Sequence, residues 1–466
     1  MLFVKIKMTI CIAKSFKKEY NDNINGAKMK VFAYETVKMQ EEKMKHYSEC
    51  TKEYSEKLYK ELSQQYNEYK ARGLKLDLSR GKPNSEHLDM SQGILSVPMT
   101  KEDCIAKSGF DCRNYGLLDG VPEVKSFFSE LFGIDEKKII IGGNSSLQLM
   151  YSTLTKVMLF GLNGSKRPWC REDGLKWLCI APGYDRHFRI TEQLGFELIT
   201  VKMTENGPDM DEVERLVKDE KVKGIWCIPK YSNPSGNTYS DETVERLAKM
   251  ECAADDFMIM WDNAYGIHDL DENGDSLADI FALSEKYGHE NRVFYYTSTS
   301  KVTFPGAGIA LMACSEENVR WMSKYLGAET IGYDKLNQLR HLRYFNNVEN
   351  IRAHMIKLGK NVGGKFKIAL NALNSIKGLG IAGWTEPKGG YFITLNVVEG
   401  TAKRVFDLMK AAGVTLTDIG ATHPYGVDPS DSTIRLAPTY PSDADLTVAM
   451  DILVLAIKMA ALEKKL

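Results

Sequence analysis

Phe257-Met258-Ile259-Met260-Trp261-Asp262-Asn263-Ala264-Tyr265-Gly266 begins with five apolar residues and ends in a polar turn. Five residues is strand length, and with every position apolar neither face of such a strand can meet water. The same pattern recurs on both sides. Residues 138–141, 176–180, 197–201, 224–228, 257–261 and 293–296 read as strands, and residues 147–159, 187–194, 211–219 and 241–254 as amphipathic helices between them. Ser240 stands where the last of these helices needs an N-cap. Strands apolar on both faces, separated by helix-length spacers, predict an α/β fold with a mostly parallel sheet covered on both sides.

Working outward, residues 334–375 read as a long helical stretch. Strands at 390–397 and 432–437 and helices at 402–412 and 444–462 then predict a second, smaller α+β domain. Residues 1–70 are rich in Lys, Glu and Tyr and contain no Pro, and 35–70 predicts one or two polar helices lying on the surface. The expected organisation is an N-terminal extension (1–45), a segment contributing to the small domain (46–110), a large domain (111–335), and a long helix with the C-terminal small domain (336–466).

Composition excludes several classes. The 61 basic and 62 acidic residues leave a formal charge of −1, which offers nucleic acid or an anionic membrane no general attraction. No apolar run reaches the roughly 20 residues of a membrane span, and the apolar start is broken by Lys5 and Lys7. Nine cysteines form no C-x-x-C pair, and the odd number leaves a thiol free, which favours a reducing, cytoplasmic compartment. The eight histidines include no close pair at metal-ligand spacing, so no metal is expected.

Ligands of open parallel sheets bind beyond the carboxyl ends of the strands, so the strand exits carry the functional reading. Ile139-Ile140-Ile141 runs into Gly142-Gly143-Asn144-Ser145-Ser146 and then a helix. That is either an anion cradle at a positive helix end or a Gly-rich turn capped by Ser. Gly306-Ala307-Gly308 lacks the third glycine of a dinucleotide fingerprint, and no P-loop is present. Further exits are Pro182-Gly183-Tyr184, Tyr231-Ser232-Asn233-Pro234-Ser235-Gly236 and the turn after Trp261. Asp262, at the edge of a core, needs a cationic or hydrogen-bonding partner there, or else caps the turn. Lys301 follows Thr297-Ser298-Thr299-Ser300 and precedes Val302-Thr303-Phe304-Pro305. A lysine so placed is either a surface charge or a partly desolvated amine whose lowered pKa makes it a nucleophile.

Asn233-Pro234-Ser235-Gly236, Asp262-x-x-Tyr265 and Ser298-x-Ser300-Lys301, in this order, resemble fold-type I pyridoxal-phosphate enzymes, specifically class I aminotransferases, over a match from about Leu76 to the C-terminus. The wording Ser298-Thr299-Ser300-Lys301-Val302-Thr303-Phe304-Pro305-Gly306-Ala307-Gly308, with Ser79-Arg80-Gly81-Lys82-Pro83 and Gly143-Asn144-Ser145-Ser146, is similar to a subgroup of bacterial-type aspartate aminotransferases. The resemblance implies the fold-type I transferase architecture and pyridoxal 5′-phosphate as cofactor. It makes Lys301 the internal aldimine lysine and proton shuttle, and Asp262 the partner of the pyridine nitrogen. Asn233 and Tyr265 would hydrogen-bond the phenolic oxygen, and Tyr184 would stack on the ring. Gly143, Asn144, Ser145, Ser298 and Ser300 would bind the phosphate, unless the serines merely satisfy their own strand end.

One departure stands out. The wider family carries a phosphate-binding arginine in a G-x-R-x-G run after the lysine, where this chain has Gly306-Ala307-Gly308-Ile309-Ala310. Arg435, in Ser432-Thr433-Ile434-Arg435-Leu436-Ala437-Pro438, matches the arginine that binds the substrate α-carboxylate, the other reading being a strand residue paired on the surface. Pro387-Lys388-Gly389-Gly390-Tyr391-Phe392 matches a run that approaches the substrate with its backbone, or is an ordinary tight turn. Arg80 is the candidate for a second substrate carboxylate, or with Lys82 a solvated loop charge. Tyr115, in Tyr115-Gly116-Leu117-Leu118-Asp119-Gly120, matches a tyrosine that reaches the phosphate of a neighbouring subunit, which implies a homodimer with shared active sites; otherwise it is a core tyrosine of a loop. The expected activity is transamination between aspartate and 2-oxoglutarate. An aminotransferase for aromatic or neutral amino acids and a pyridoxal-phosphate lyase are the alternatives. A cofactor-binding transcription regulator is the reading from another class, and residues 1–70 show no helix-turn-helix for it.

Overall fold

In the computed structural model, which describes residues 46–466, a short 3-10 turn (Tyr47–Glu49) is followed by α1 (Lys52–Lys70), β1 (Leu76–Asp77), α2 (Ser85–Asp89) and α3 (Pro122–Phe132). The alternating section follows: β2 (Ile139–Ile141), α4 (Ser146–Phe160), β3 (Lys176–Ala181), α5 (Asp185–Gln193), β4 (Glu197–Thr204), β5 (Gly207–Pro208), α6 (Met210–Leu216), β6 (Val222–Cys227), α7 (Asp241–Lys249), β7 (Met258–Asp262), α8 (Ile280–Lys286), β8 (Val293–Ser298) and β9 (Ala310–Ala313). Next come α9 (Glu316–Glu329), α10 (Lys335–Phe345), α11 (Val348–Asn374), β10 (Ala382–Trp384), β11 (Ile393–Val397), α12 (Ala402–Ala411), β12 (Val414–Thr415), β13 (Thr433–Leu436) and α13 (Asp443–Lys465).

Among the described residues the main sheet has eight strands in the order β2-β9-β8-β7-β6-β3-β4-β5. The run from β8 to β4 is parallel throughout. β9 is antiparallel to both β8 and β2, and β5 is a short antiparallel edge. β9 went unread in the sequence because its four residues follow a glycine-rich turn with no spacer helix. It has a geometric consequence: reversing twice across β9 points β2 the same way as β8, so the exit of β2 joins the same carboxyl rim.

Each central strand alternates between two apolar layers. Ile259 and Trp261 face one with Ile139, Ile141, Ile225 and Val293, while Met258 and Met260 face the other with Ile140, Trp226 and Phe294. Every position of β2, β6 and β7 is buried, as a sheet covered on both faces requires. A third core gathers α13, the C-terminal half of α11, the antiparallel sheet β10-β11-β13 and α1. β1 pairs in parallel with β12, Leu76 opposite Val414, which ties the N-terminal segment to the C-terminal part.

Several expectations need correction. The stretch 334–375 is two helices, because Asn346 takes φ 65° and the Asn347 side chain caps α11 by accepting from Asn350 N. Helix α7 stops at Lys249 rather than 254, since Met250 turns extended and its carbonyl accepts from Arg292 Nη1 at 2.7 Å. Ser240 caps α7 as read, accepting from Thr243 N. Of the polar helices expected over 35–70, residues 35–45 lie outside the described residues. The remainder, α1, is more than a surface helix: Leu58, Leu62 and Tyr66 form a buried stripe at four-residue spacing against α13. Tyr66 donates to Leu408 O at 2.7 Å and Tyr59 to Glu463 Oε1 at 2.7 Å.

This packing gives a stability test. Leu62→Ala should cost about 2–4 kcal/mol, seen as a lower denaturation midpoint, whereas Gln64→Ala on the exposed side of α1 should stay within about 0.5 kcal/mol of the parent. Equal effects would mean that α1 is not docked.

Candidate active site

The strand exits converge on one cavity of about 670 Å³. Its wall includes Ser145 after β2, Tyr184 after β3, Asn233 after β6, Asp262 and Tyr265 at the end of β7, and Ser298, Ser300 and Lys301 at the end of β8. Arg80 enters from the segment after β1, and Arg435 from β13. Ten of the residues singled out in the sequence therefore share one wall. Gly143, Asn144 and Tyr115 do not line it.

Asp262 is buried at the rim, where Oδ2 accepts from His187 Nε2 at 3.0 Å. The imidazole lies flat on Trp226, with centroids 4.3 Å apart and an 11° interplanar angle, and edge-on to Tyr184 at 5.0 Å. Asp262 Oδ1 is buried without a protein hydrogen-bond partner. A carboxylate oxygen so placed is costly unless a donor reaches it. A ligand carrying a protonated ring nitrogen supplies that donor, and the residues fit pyridoxal phosphate in this respect.

Lys301 borders the cavity, and its Nζ lies 4.8 Å from the centre of the Tyr265 ring. Burial pulls its amine below the usual lysine range, with Asp262 pulling weakly the other way. The main chain of Lys301 is pinned from the N-terminal segment: His87 Nε2 donates to Lys301 O at 2.9 Å. Burial holds His87 down to about 4, so the ring is neutral, and Tyr391 OH donates to its Nδ1 at 3.2 Å. His268 is fully enclosed next to Tyr265 and Tyr391, with both ring nitrogens unpartnered, and burial keeps it neutral too.

At the hydroxyl end, Ser145 caps α4 by accepting from Gln148 N at 3.4 Å, and Ser146 and Leu147 of the first turn join the wall. Ser298 Oγ donates to Ser300 Oγ at 3.0 Å, and Ser300 Oγ donates to Asn144 O at 3.1 Å. The serines thus both line the cavity and satisfy each other. Gly143 and Asn144 brace this corner from behind: Gly143 O accepts from Ala310 N at 2.7 Å, and Asn144 Nδ2 donates to Pro305 O at 3.2 Å. The missing arginine has a steric counterpart. A Cβ at Gly308 would stand 3.0 Å from Thr299 Oγ1 and 3.1 Å from Phe304 O, and Ile309 is packed in the core.

At the other end, Arg435 Nη1 donates to Asp185 Oδ1 at 3.1 Å and to Asn233 Oδ1 at 3.3 Å, while Nε donates to Thr417 Oγ1 at 3.4 Å. Its guanidinium lies 5.1 Å from the centre of the Phe392 ring. The tip of the Phe392 ring lies against the Arg80–Lys82 segment, which needs glycine at 81 because a Cβ there would sit 2.3 Å from the ring. Tyr115 is 77% exposed, away from the cavity. Among the described residues no group of His, Cys, Asp or Glu is placed to hold a metal ion, and no helix is long and apolar enough to cross a membrane.

Sequence reasoning missed His87, Asp185, His187, His268 and Thr417. His187 was findable, since it lies one helical turn beyond Tyr184; His87 and Thr417 come from segments with no motif of their own.

The depressed Lys301 amine makes a pH prediction. In the unfolded chain that amine keeps its proton up to the usual 10.5, while the folded one loses it earlier, so the unfolded state binds more protons between the two values. Cofactor-free protein should therefore gain stability as pH rises through that window, and the gain should be lost as pH falls back through the lowered pKa. Lys301→Met should flatten this rise in a pH series of chemical denaturation curves; an unchanged slope would mean an ordinary amine.

The model of the family described as aspartate amino-transferase matches residues 50–466. An aspartate aminotransferase of Corynebacterium glutamicum is 44% identical over 371 residues, covering 79% of this chain and 86% of that protein. A solved aspartate transaminase from the same species superposes with a TM-score of 0.87 at 44% identity, over 89% of this chain and 98% of that one. The fold extends to an α-aminoadipate aminotransferase of Thermus thermophilus, complexed with N-(5′-phosphopyridoxyl)-L-leucine, at a TM-score of 0.67 and 21% identity over 86% and 96% of the two chains. With the match running through every element that builds the cavity, the chain belongs to the aspartate amino-transferase family of pyridoxal-phosphate enzymes.

Proposed function

We propose that this aminotransferase exchanges the amino group of aspartate with 2-oxoglutarate in two half-reactions, in the cytoplasm, as a homodimer with shared active sites. The observation that carries the reading is a buried Lys301, its amine pulled below the usual lysine range, in the same wall as an unpartnered oxygen of Asp262 and two arginines, Arg80 and Arg435. Bound pyridoxal phosphate supplies an aldehyde that captures an amino group and a ring that withdraws electrons from the substrate α-carbon.

The chain's own groups do the rest. Lys301 Nζ, which burial makes easier to deprotonate than an ordinary lysine, anchors the cofactor and then takes the α-proton and returns it. Asp262 Oδ1 keeps a ring nitrogen protonated, with His187 holding the carboxylate in place. Tyr265 and Asn233 donate to the phenolic oxygen, and Tyr184 covers the ring face. Ser145, Ser298, Ser300 and the first turn of α4 hold the phosphate, with Gly143 and Asn144 as their support and Tyr115 of a second copy, exposed here, reaching in. Arg435 takes the α-carboxylate and Arg80 the distal one. Residues 111–335 then form the cofactor domain, and 46–110 with 336–466 the smaller one. Aspartate as the donor is supported by the two arginines and by the name of the 44%-identical relative; the reducing compartment rests on the odd number of cysteines.

The direct test mixes cofactor-loaded protein with single amino acids and follows conversion of the aldehyde to the amine form by absorbance. Aspartate should react fastest, and a preference for a neutral or aromatic amino acid would overturn the substrate assignment. Lys301→Ala should abolish the visible band of the lysine-bound cofactor, and Asp262→Ala should bind cofactor yet slow the half-reaction by about a thousandfold or more. An unchanged spectrum or near-normal turnover removes the respective role. Arg80→Ala should raise KM for aspartate far more than for alanine, whereas Arg435→Ala should harm both alike; equal effects of Arg80→Ala on the two would return the distal anchor to another residue.

A further inference from the structure

The Arg435 side chain is 9% exposed, and a guanidinium so enclosed needs a counter-charge at all times, not only when a substrate supplies one. Among the described residues the carboxylate paired with it is that of Asp185, through Oδ1 and Nη1 at 3.1 Å. The other contacts are neutral: Asn233 Oδ1, Thr417 Oγ1 and the Phe392 ring. Asp185 is unlike them in a second way. Its side chain is 35% exposed, with one side open to solvent, and its Oδ2 already stands 3.9 Å from Arg186 Nε. As the first residue of α5 it lies beside the free N–H groups of the first turn, which favour an anion there.

A substrate carboxylate grips a guanidinium through two parallel N–H donors. Nη1, the nitrogen that points to Asn233, is engaged by Asp185. Docking through that edge requires Asp185 to leave, or else sets two carboxylates against one cation. We propose that Asp185 is a resident competitor for the substrate α-carboxylate: it neutralises and orients Arg435 between turnovers and yields it to the incoming acid by swinging toward Arg186. This rests on the assignment of Arg435 as the α-carboxylate anchor. The apparent affinity of every carboxylate ligand is then lowered by the fraction of time Arg435 is free. A ligand with a second anchor retains useful affinity under that tax, and a ligand with one carboxylate does not. Asp185 thereby filters out singly anchored acids without touching the distal carboxylate.

The test uses cofactor-loaded protein and two unreactive acids, maleate and propionate, with dissociation constants measured by titration calorimetry at fixed ionic strength. Asp185→Asn keeps the size and polarity of the side chain but removes its charge, and should tighten both acids by about tenfold. Asp185→Glu keeps the charge and should show no such gain. Unchanged or weaker binding by Asp185→Asn overturns the proposal, as does a gain confined to maleate, which would place the carboxylate beside the distal anchor instead. Arg435→Lys, measured in parallel, separates the two claims. Weakened binding of both acids upholds the anchor on which the proposal stands, and undiminished binding removes the anchor and the competitor together.

Discussion

A sheet buried on both faces confines polar side chains to the points where its strands stop. In β2, β6 and β7 no position is open to water, and the two apolar layers take alternate residues of each strand. Charged and hydroxyl groups collect at the carboxyl rim because the interior cannot hold them unpaired. The two reversals at β9 bring the exit of β2 to that rim, so that the capped start of α4 and the serines after β8 meet at one corner. The cavity is the consequence of that exclusion.

Two demands inside it conflict. A lysine that acts as a nucleophile must shed its proton, whereas a carboxylate that serves a ring nitrogen must keep its charge, and both lie in the same wall. The structure separates them by their neighbours. Asp262 receives a hydrogen bond from His187, while the groups packed about Lys301 besides Asp262 include the uncharged Tyr265, Tyr391, His87 and His268. Burial, the largest cause in each case, keeps the two histidines neutral and pulls the lysine below its usual range.

The arginine end of the cavity is assembled from separate parts of the chain. β13 delivers Arg435, the segment after β1 delivers Arg80, and the rim delivers Asn233 and Asp185. Gly81 lets the first segment lie against Phe392, on which Arg435 also rests. The pairing of β1 with β12 and the docking of α1 on α13 hold that segment in place, so residues remote from the chemistry set the position of a candidate substrate anchor. At the hydroxyl end the tight space at Gly308 and the core packing of Ile309 disfavour a cation from this segment, which leaves more of an anion's binding to hydroxyls and to the helix start.

The alternation of apolar runs with helical spacers already dictates the α/β class, because a strand such as 257–261 has no face it can show to water. The polar residues at the strand exits, Asn233, Asp262, Tyr265, Ser298, Ser300, Lys301 and, from β13, Arg435, were likewise legible from local sequence, since their types and order carry the chemistry. Local sequence could not show the partners. His187 beneath Asp262, His87 against the Lys301 carbonyl 214 positions away, and Asp185 on Arg435 across 250 positions are set by which elements pack together. The same holds for Gly143 and Asn144, which sit behind the wall, and for β9 and the buried stripe of α1. A side chain's type is written in the chain, but its burial and its neighbour's charge exist only once distant segments have excluded water between them.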